Sequence, residues 1–382
     1  MINKIGIQGF KALRHTERVN VGRLTLLTGI NGRGKSTFLQ SLLMISQSLR
    51  GSSDSLLNLC PNGDWVSLGV FKELLSTDSG ANEMVFEFET TTQHEREIVL
   101  KYAVNPQKES LGELISCVVC GEEILLASSE SDQMQEAMEE ETAQGTPRLT
   151  YRDLTEINRL QNLYYISSDR YAAKGEEAIN EMLRPNYLGA QGQYVLNVLS
   201  HCSDDQLKEL EKKMSEIMDG AHIKFEKDSE NGRIRLFIDS LDGGHNYRPV
   251  NVGYGYSYVI SLLLAIILSG ESDTIIIENP EAHLHPQAQS RLMEYLVYAT
   301  SEKHIQCFVE THSDHIINGL LVSLKEKRID VKDTSILFFD RKKEHDMPYI
   351  EVANLEVTQH GRVRKPPKGF CDQYGLDLRK LI

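Results

Sequence analysis

The sequence predicts an α/β fold built around a mostly parallel central sheet, and three observations predict this class. An apolar strand, Arg23–Thr28, leads through a glycine-rich turn into a helix pattern at Ser36–Leu49. Apolar strands and helices alternate again from residue 257 to residue 310, which is typical of parallel strands covered by helices. Residues 83–125 are strand-like and predict an additional β-rich part. The length of 382 residues allows two domains, or one large domain with an insertion.

The other elements follow from local patterns. The acidic, polar stretch Ser128–Gly145 has few large apolar side chains and predicts a flexible excursion. Ile223–Asp239 reads as a hairpin that turns at Asn231-Gly232. The remaining predicted elements are a strand at Ile5–Phe10, a helix at Asp204–Met218, a helix at Ser257–Leu268, a strand at Thr274–Ile277, a helix at Pro286–Thr300 and a strand at Ile305–Glu310.

Composition limits the class of protein. With 40% hydrophobic and 25% charged residues the chain is typical of a soluble globular protein. The apolar run Val259–Leu268 is too short to cross a membrane, and the N-terminus lacks the apolar core of a secretion signal, so a cytoplasmic location is expected. Cys117 and Cys120 form one CxxC without a second pair for zinc, and we interpret them as small strand residues.

The net charge of −14 argues against a protein whose surface is coated by nucleic acid. Four basic residues nevertheless cluster near the C-terminus. They are Arg362, Arg364, Lys365 and Lys368. A solvated surface loop is the preferred interpretation of this cluster, and a DNA-contacting patch is the alternative.

The strongest motif is the run from Gly29 to Thr37, GINGRGKST, which fits the phosphate-loop pattern GxxxxGK[ST]. Its backbone N–H groups and the following helix start favour an anion. Lys35 supplies a charge to the β- and γ-phosphates, and the Ser36 hydroxyl binds Mg²⁺. We therefore predict ATP and Mg²⁺ as cofactors. The predicted nucleotide-binding residues here are Asn31, Gly32, Gly34, Lys35, Ser36 and Thr37.

Three further motifs follow in the second half of the chain. The strand ending in Glu278 has the Walker B arrangement, in which a carboxylate at the strand tip holds Mg²⁺. His312, after the next strand, is placed to reach a γ-phosphate or the attacking water. The turn with Gly253, Gly255 and Ser257 precedes an apolar helix and predicts a second anion site.

In this order the four motifs resemble an ABC-type ATPase head of the SMC, RecF and OLD-like class, over roughly residues 1–70 and 245–382. The opening Ile7-Gln-Gly-Phe10-Lys11 and the runs ENPEAHLHP, ETHSDH and PKGFCDQ carry the resemblance, the last three to bacterial stand-alone ATPases with a small C-terminal domain of unknown function. The resemblance implies a P-loop NTPase with an antiparallel β N-terminal lobe and a helical and β insertion. It also implies that the Gly253–Ser257 loop contacts ATP bound by a second subunit.

The same resemblance assigns further roles. His312 matches the switch histidine, and Gln47 matches a sensor glutamine that also binds the metal, although it lies closer to Lys35 than usual. Asn279 stands where such ATPases carry a water-polarising Glu, and an amide cannot take a proton. Either Glu281 takes that role or hydrolysis is slow, so the predicted catalytic residues are Glu278, Glu281 and His312. Arg170 is either an arginine near the nucleotide or a surface residue.

The sequence suggests four consecutive parts. They are an N-terminal ATPase lobe (1–90), an insertion (91–244), a C-terminal ATPase lobe (245–330) and a small C-terminal domain (331–382). The leading hypothesis is an ATP-driven dimeric switch that controls a separate effector, a nuclease in anti-phage defence. A RecF-like DNA-repair ATPase that binds DNA directly is the alternative, and a transporter subunit fits less well because no LSGGQ sequence is present.

Overall fold

The computed structural model describes residues 1–50, 57–76, 82–91, 95–123, 160, 162–228, 230–240, 244–271, 273–344 and 347–381. The excursion predicted at Ser128–Gly145 lies outside these residues. Contacts divide the chain into two units, each assembled from separated stretches. The first comprises Met1–Asn20, Gln40–Gln161 and Lys343–Ile350, and the second Val21–Leu39, Asn162–Lys342 and Glu351–Ile382. The four consecutive parts suggested by the sequence stay a prediction.

The first unit contains an antiparallel sheet with the strand order β2-β1-β5-β6-β7-β4, and β8 pairs with β7. Buried and half-buried residues alternate along β5, as in a strand with one covered face, and the strand-like character predicted for residues 83–125 is confirmed here. The elements are β1 (Ile2–Phe10), β2 (Leu13–Asn20), β4 (Asn58–Leu59), the short helix α2 (Phe71–Leu74), β5 (Glu83–Thr91), β6 (Glu95–Val104), β7 (Gly112–Val119) and β8 (Glu122–Glu123).

Most residues of a six-stranded sheet with the order β16-β15-β3-β14-β13-β9 belong to the second unit. The pairs β15–β3, β3–β14, β14–β13 and β13–β9 are parallel, which confirms the predicted parallel sheet. Its strands are β3 (Leu24–Gly29), β9 (Leu163–Ile166), β13 (Thr274–Glu278), β14 (Gln306–Glu310), β15 (Thr334–Glu344) and β16 (Met347–Asn354). Every residue of β13 and β14 is buried, and both strands have an apolar centre instead of an alternating pattern, as expected for strands covered on both faces.

The longer helices are α1 (Lys35–Leu49), α4 (Asp204–Ile217), α5 (Tyr254–Leu268), α6 (Pro286–Glu302) and α7 (Asp314–Lys325). The shorter ones are α3 (Val195–Leu199), α8 (Gln373–Leu381) and two 3-10 turns, Pro249–Asn251 and Val331–Asp333. The start of α4 is fixed by a capping box, in which Ser203 and Gln206 exchange side-chain and backbone hydrogen bonds. Helix α5 is buried on almost all sides, which explains its nearly uninterrupted apolar sequence. No helix among the described residues combines the length and apolarity needed to cross a membrane.

Two small sheets complete the second unit. β10 (Glu176–Ala178), β11 (His222–Asp228) and β12 (Arg233–Asp239) form one, and β17 (Val357–Thr358) and β18 (Arg362–Val363) form the other. The β11–β12 pair confirms the hairpin predicted around Asn231-Gly232. Its turn places Gly232 at a φ of 58°, a conformation that glycine adopts without strain.

Candidate nucleotide-binding site

The glycine loop between β3 and α1 has the backbone that its sequence predicts. Gly29 has a φ of 133°, and a Cβ there would lie 2.3 Å from the carbonyl oxygen of Phe339 on the neighbouring strand β15. Only glycine therefore fits at this point. Gly32 has a φ of 70°, and a Cβ at that position would meet no atom within 4 Å. The loop is thus tightly packed at its base and open at its tip.

Lys35, the first residue of α1, is held across this loop. Its Nζ donates hydrogen bonds of 3.0 Å to the carbonyl oxygens of Gly29 and Ile30, and only 3% of the residue is exposed. Burial lowers the pKa of Lys35, and the nearby Glu310 carboxylate opposes this shift. The ammonium is therefore fixed inside the loop, where a phosphate would receive its charge.

Two acidic strand ends lie side by side next to this lysine. Glu278 on β13 is paired in register with Glu310 on β14, and β14 also pairs with β3. The exposed Ser36 donates from Oγ to Glu310 Oε1 at 3.0 Å. Burial and the Glu278 charge raise the pKa of Glu310 to about 7. Glu310 was not among the predicted site residues, although it ends a buried apolar strand two residues before His312.

These residues fit a bound Mg²⁺. The second carboxylate oxygen of Glu310, Oε2, is buried and has no hydrogen-bond partner among the described residues. A hydroxyl, one or two carboxylates and phosphate oxygens are the ligands that Mg²⁺ prefers in nucleotide sites. Among the described residues, no group of three or more His, Cys, Asp or Glu side chains is placed to hold a metal ion, so a Mg²⁺ here would also need the Ser36 hydroxyl and phosphate oxygens.

The loops that follow β13 and β14 are tied to each other. Glu281 Oε1 accepts the backbone N–H of His312 at 2.7 Å, and Glu281 Oε2 accepts the Thr311 hydroxyl at 2.9 Å. Thr311 also donates its backbone N–H to the carbonyl of Leu27 on β3, at 3.0 Å. The partly exposed His312 ring has its pKa lowered by burial and by the Lys35 ammonium. His312 is thus near Lys35 and is held by Glu281.

Asn279, at the position of the expected catalytic Glu, has a left-handed φ of 45°. Its N–H donates to the carbonyl of Glu310 at 2.8 Å, and its side-chain Oδ1 is buried without a hydrogen-bond partner in the described structure. The backbone at Asn279 therefore joins the two acidic strand ends.

Arg170 is buried, with 3% of its surface exposed, so its interpretation as a surface residue is wrong, while a place near the nucleotide stays a prediction. Its guanidinium donates to the carbonyl oxygens of Ser167 and Glu278 and, through Nη2, to that of Asn279, over distances of 2.8–3.0 Å. Burial lowers the pKa of Arg170 to about 10. Arg170 fixes the backbone that follows the Walker B strand.

The glycine turn before α5 differs in detail from the expectation. Gly253 is the exposed N-cap of α5, and no side chain caps this helix end. A Cβ at Gly255 would lie 2.4 Å from the carbonyl oxygen of His283, so Gly255 permits close packing. Ser257 lies in the first turn, but its side chain is buried and its hydroxyl has no partner among the described residues. Gly253 and Tyr254, rather than Ser257, form the exposed part of the turn.

The remaining predicted residues are placed as follows. Asn31 and Gly32 are exposed at the loop tip, Gly34 and Thr37 are half-buried, and all belong to the second unit. Gln47, in the first unit, accepts the N–H groups of Trp65 and Val66 and donates to the carbonyl of Cys60 at 2.7 Å. Its carboxamide therefore fixes a local loop. Its role as a metal ligand stays a prediction.

A strand, glycine loop and helix that present Lys35 and Ser36 beside acidic ends of parallel strands define a P-loop nucleotide-binding domain. Residues 24–318 match a family described as "AAA domain, putative AbiEii toxin, Type IV TA system", and the chain belongs to this family. Residues 329–381 match a second family, described as a protein of unknown function (DUF3696). None of the curated proteins matches the chain.

Solved structures similar to this chain include heads of SMC proteins. An SMC head bound to the C-winged helix domain of ScpA is 13% identical, with a TM-score of 0.53 over 93% of this chain and 98% of that one. The SMC head domain from Thermotoga maritima is 13% identical, with a TM-score of 0.47 over 93% and 99% of the two chains. The first likeness confirms the predicted P-loop NTPase fold.

Proposed function

We propose that this protein binds ATP with Mg²⁺ and hydrolyses it slowly. The observation that carries the proposal is the convergence of Lys35, Ser36, Glu278 and Glu310 at one edge of the parallel sheet. Lys35 attracts the phosphates, while Ser36 and the carboxylates hold the metal. When bound, Mg²⁺ neutralises negative charge on the phosphates. Slow turnover is expected because the amide of Asn279 replaces a proton-accepting carboxylate.

The surface around the start of α5 supports ATP-dependent pairing of two copies. Two large apolar side chains are exposed there, Val250 at 83% and Tyr254 at 65%. The helix end between them has no side-chain cap, so its N–H groups and dipole favour an anion. We infer that this surface, which contains Gly253, covers the γ-phosphate of ATP held by a second copy.

The ATP-driven pairing is proposed to act as a switch on a separate effector protein in the cytoplasm. One structure with the same fold is an SMC head bound to a partner domain, which makes partner binding by this head a reasonable expectation. The family description names a putative toxin of a toxin–antitoxin system, which suits a role in controlling a harmful activity. We propose a nuclease as the effector and defence against phage as the setting.

Tyr254→Glu tests the pairing step. The substitution places a negative charge at a helix N-terminus, where it stabilises the monomer, but it repels a partner's phosphate. Light scattering with a slowly hydrolysed ATP analogue should give dimers for the wild type and monomers for Tyr254→Glu. Tyr298→Glu, at a tyrosine that is 53% exposed on α6, is the matched control and should still dimerise. Normal dimerisation of Tyr254→Glu would refute the proposed surface.

The alternative, direct DNA binding, rests on the basic C-terminal cluster. Arg362, Arg364, Lys365 and Lys368 are all exposed, although Arg364 is paired with Glu356. A DNA-binding ATPase should bind duplex DNA with an affinity that falls steeply with salt, and replacing these four residues by Ala should flatten that dependence. The effector hypothesis instead predicts that a nuclease binds to the wild-type protein in the presence of ATP and does not bind to Lys35→Ala.

A further inference from the structure

Glu278 and Glu310 form a pair of carboxylates that are both removed from water. They are opposite each other in the parallel β13–β14 register, and 8% and 5% of these residues are exposed. Two like charges this deep in a protein are costly unless a cation lies between or beside them. Lys35 acts on Glu310, but its ammonium is already bonded to Gly29 and Ile30.

The two carboxylates have different partners. Glu278 Oε2 accepts the backbone N–H of Ser168 at 3.2 Å, and the Tyr165 phenol also hydrogen-bonds to Glu278. Glu278 is therefore supported from the side of β9. Glu310 faces the phosphate loop, since its Oε1 accepts the Ser36 hydroxyl at 3.0 Å. Its Oε2 is buried with no hydrogen-bond partner in the described part of the chain.

The strand order explains this difference. β14 lies between β3, which leads into the phosphate loop, and β13, which carries Glu278. Glu310 is consequently on the strand next to the loop, while Glu278 is one strand further away. A buried anionic oxygen without a donor, beside the hydroxyl expected to bind Mg²⁺, is chemically suited to a hard divalent cation.

We propose that Glu310, together with Ser36, is the principal carboxylate that holds the Mg²⁺ of the bound nucleotide, with Glu278 supporting it from the next strand. This inference rests on the proposed nucleotide binding. It gives Glu310 the metal-binding role that the sequence pattern predicted for Glu278 of the Walker B strand. Glu310 thereby fixes the orientation of the Ser36 hydroxyl as well as the metal.

The test measures metal binding rather than turnover. Anisotropy of a fluorescent ATP analogue bound to the full-length protein is followed as Mg²⁺ is added, for wild type, Glu310→Gln, Glu278→Gln and Glu281→Gln. Loss of a metal-binding or orienting group costs roughly 10–100-fold in metal affinity. Glu310→Gln should therefore raise the Mg²⁺ concentration at half-saturation by roughly 10–100-fold. Glu278→Gln should cause a smaller shift, and Glu281→Gln almost none.

Binding measured in EDTA separates this inference from the proposed function. Glu310→Gln should bind the analogue in EDTA as well as the wild type does, and its thermal unfolding should show an intact fold. Mn²⁺ used instead of Mg²⁺, with free Mn²⁺ counted by electron paramagnetic resonance, should give the same ranking. If the Mg²⁺ concentration at half-saturation is unchanged for Glu310→Gln and much higher for Glu278→Gln, the role assigned to Glu310 is wrong, but the proposed nucleotide binding is not affected. A wild type that binds no nucleotide overturns the proposed function with it.

Discussion

Glu281 accepts the backbone N–H of His312 through Oε1 at 2.7 Å, and this bond fixes the loop after β14 to the loop after β13. The Thr311 hydroxyl bonds to the other oxygen of the same carboxylate at 2.9 Å. Both oxygens of Glu281 therefore hold the loop that carries His312. The structure supports a positioning role for Glu281, alongside the predicted role as a proton acceptor.

Glu281→Gln and Thr311→Val should together distinguish these two roles. The amide oxygen of Gln can replace only one of the two acceptors, so the His312 loop should loosen, at a cost of about 1 kcal/mol in the free energy of unfolding. If Glu281 positions the loop, both variants should slow single-turnover hydrolysis, and the double variant should be little slower than Glu281→Gln. Normal turnover for Thr311→Val with none for Glu281→Gln would instead indicate that the carboxylate takes the proton.

Lys35→Ala should abolish nucleotide binding, because the ammonium inside the phosphate loop is lost. Lys303→Ala is a matched control from outside the site. Lys303 also donates to two backbone carbonyls, those of Ile266 and Ile267 at the end of α5, and burial lowers its pKa as it does for Lys35. Equilibrium binding of a fluorescent ATP analogue should be lost only in Lys35→Ala. Lys303→Ala should lose stability alone, and unchanged affinity in Lys35→Ala would refute the phosphate-loop assignment.

The sequence predicted the phosphate loop because its contacts are local. Gly29, Ile30 and Lys35 lie within seven positions of one another, and their hydrogen bonds follow from the loop itself. The parallel sheet was predictable for a similar reason, since each fully buried strand is a short apolar run.

Glu310 and Arg170 could not be assigned in this way. The Ser36–Glu310 bond joins residues 274 positions apart, and the Arg170–Glu278 bond joins residues 108 apart. Both contacts depend on the order of the strands in the sheet, and the residues next to each position in the sequence do not determine that order. Ser257 was expected to face a phosphate, but α5 is apolar on nearly all sides, so its periodicity does not indicate which residues point inwards.

The stability of the protein free of metal and nucleotide should depend on pH through Glu310. The pKa of its carboxyl rises from an ordinary value of 4.5 to about 7, mainly because of burial and the Glu278 charge. The native state therefore holds this proton more tightly than the unfolded state. From about pH 4.5 to about 7 the free energy of unfolding should fall as pH rises, by about 3 kcal/mol in total, and then level off.

Glu310→Gln removes this titration. Urea denaturation of the wild type and the variant at several pH values therefore measures how much the Glu310 carboxyl contributes to the free energy of unfolding. In EDTA, the free energy of unfolding of Glu310→Gln should equal that of the wild type near pH 4 and exceed it above pH 7. A difference that does not change with pH would mean that Glu310 is ionised without penalty in the folded protein.

The two glycines at the start of α5 should differ in their response to substitution by alanine. Gly255 lies inside the helix, where Ala normally stabilises by about 1 kcal/mol, but its Cβ would lie 2.4 Å from the carbonyl oxygen of His283. This contact is with backbone and cannot be relieved by a rotamer change, so Gly255→Ala should cost about 1–3 kcal/mol in the free energy of unfolding, although alanine is the better helix former.

Gly253 has a φ of −59°, and a Cβ added there would lie no closer than 3.7 Å to another atom, in the Tyr256 ring. Gly253→Ala should therefore cost less than about 1 kcal/mol, the usual loss at an N-cap. Urea denaturation compares the two variants directly. Because the loop at His283 follows the Walker B strand, Gly255→Ala should also weaken ATP-dependent dimerisation. A Gly255→Ala protein more stable than the wild type would show that α5 and the loop at His283 do not pack this closely.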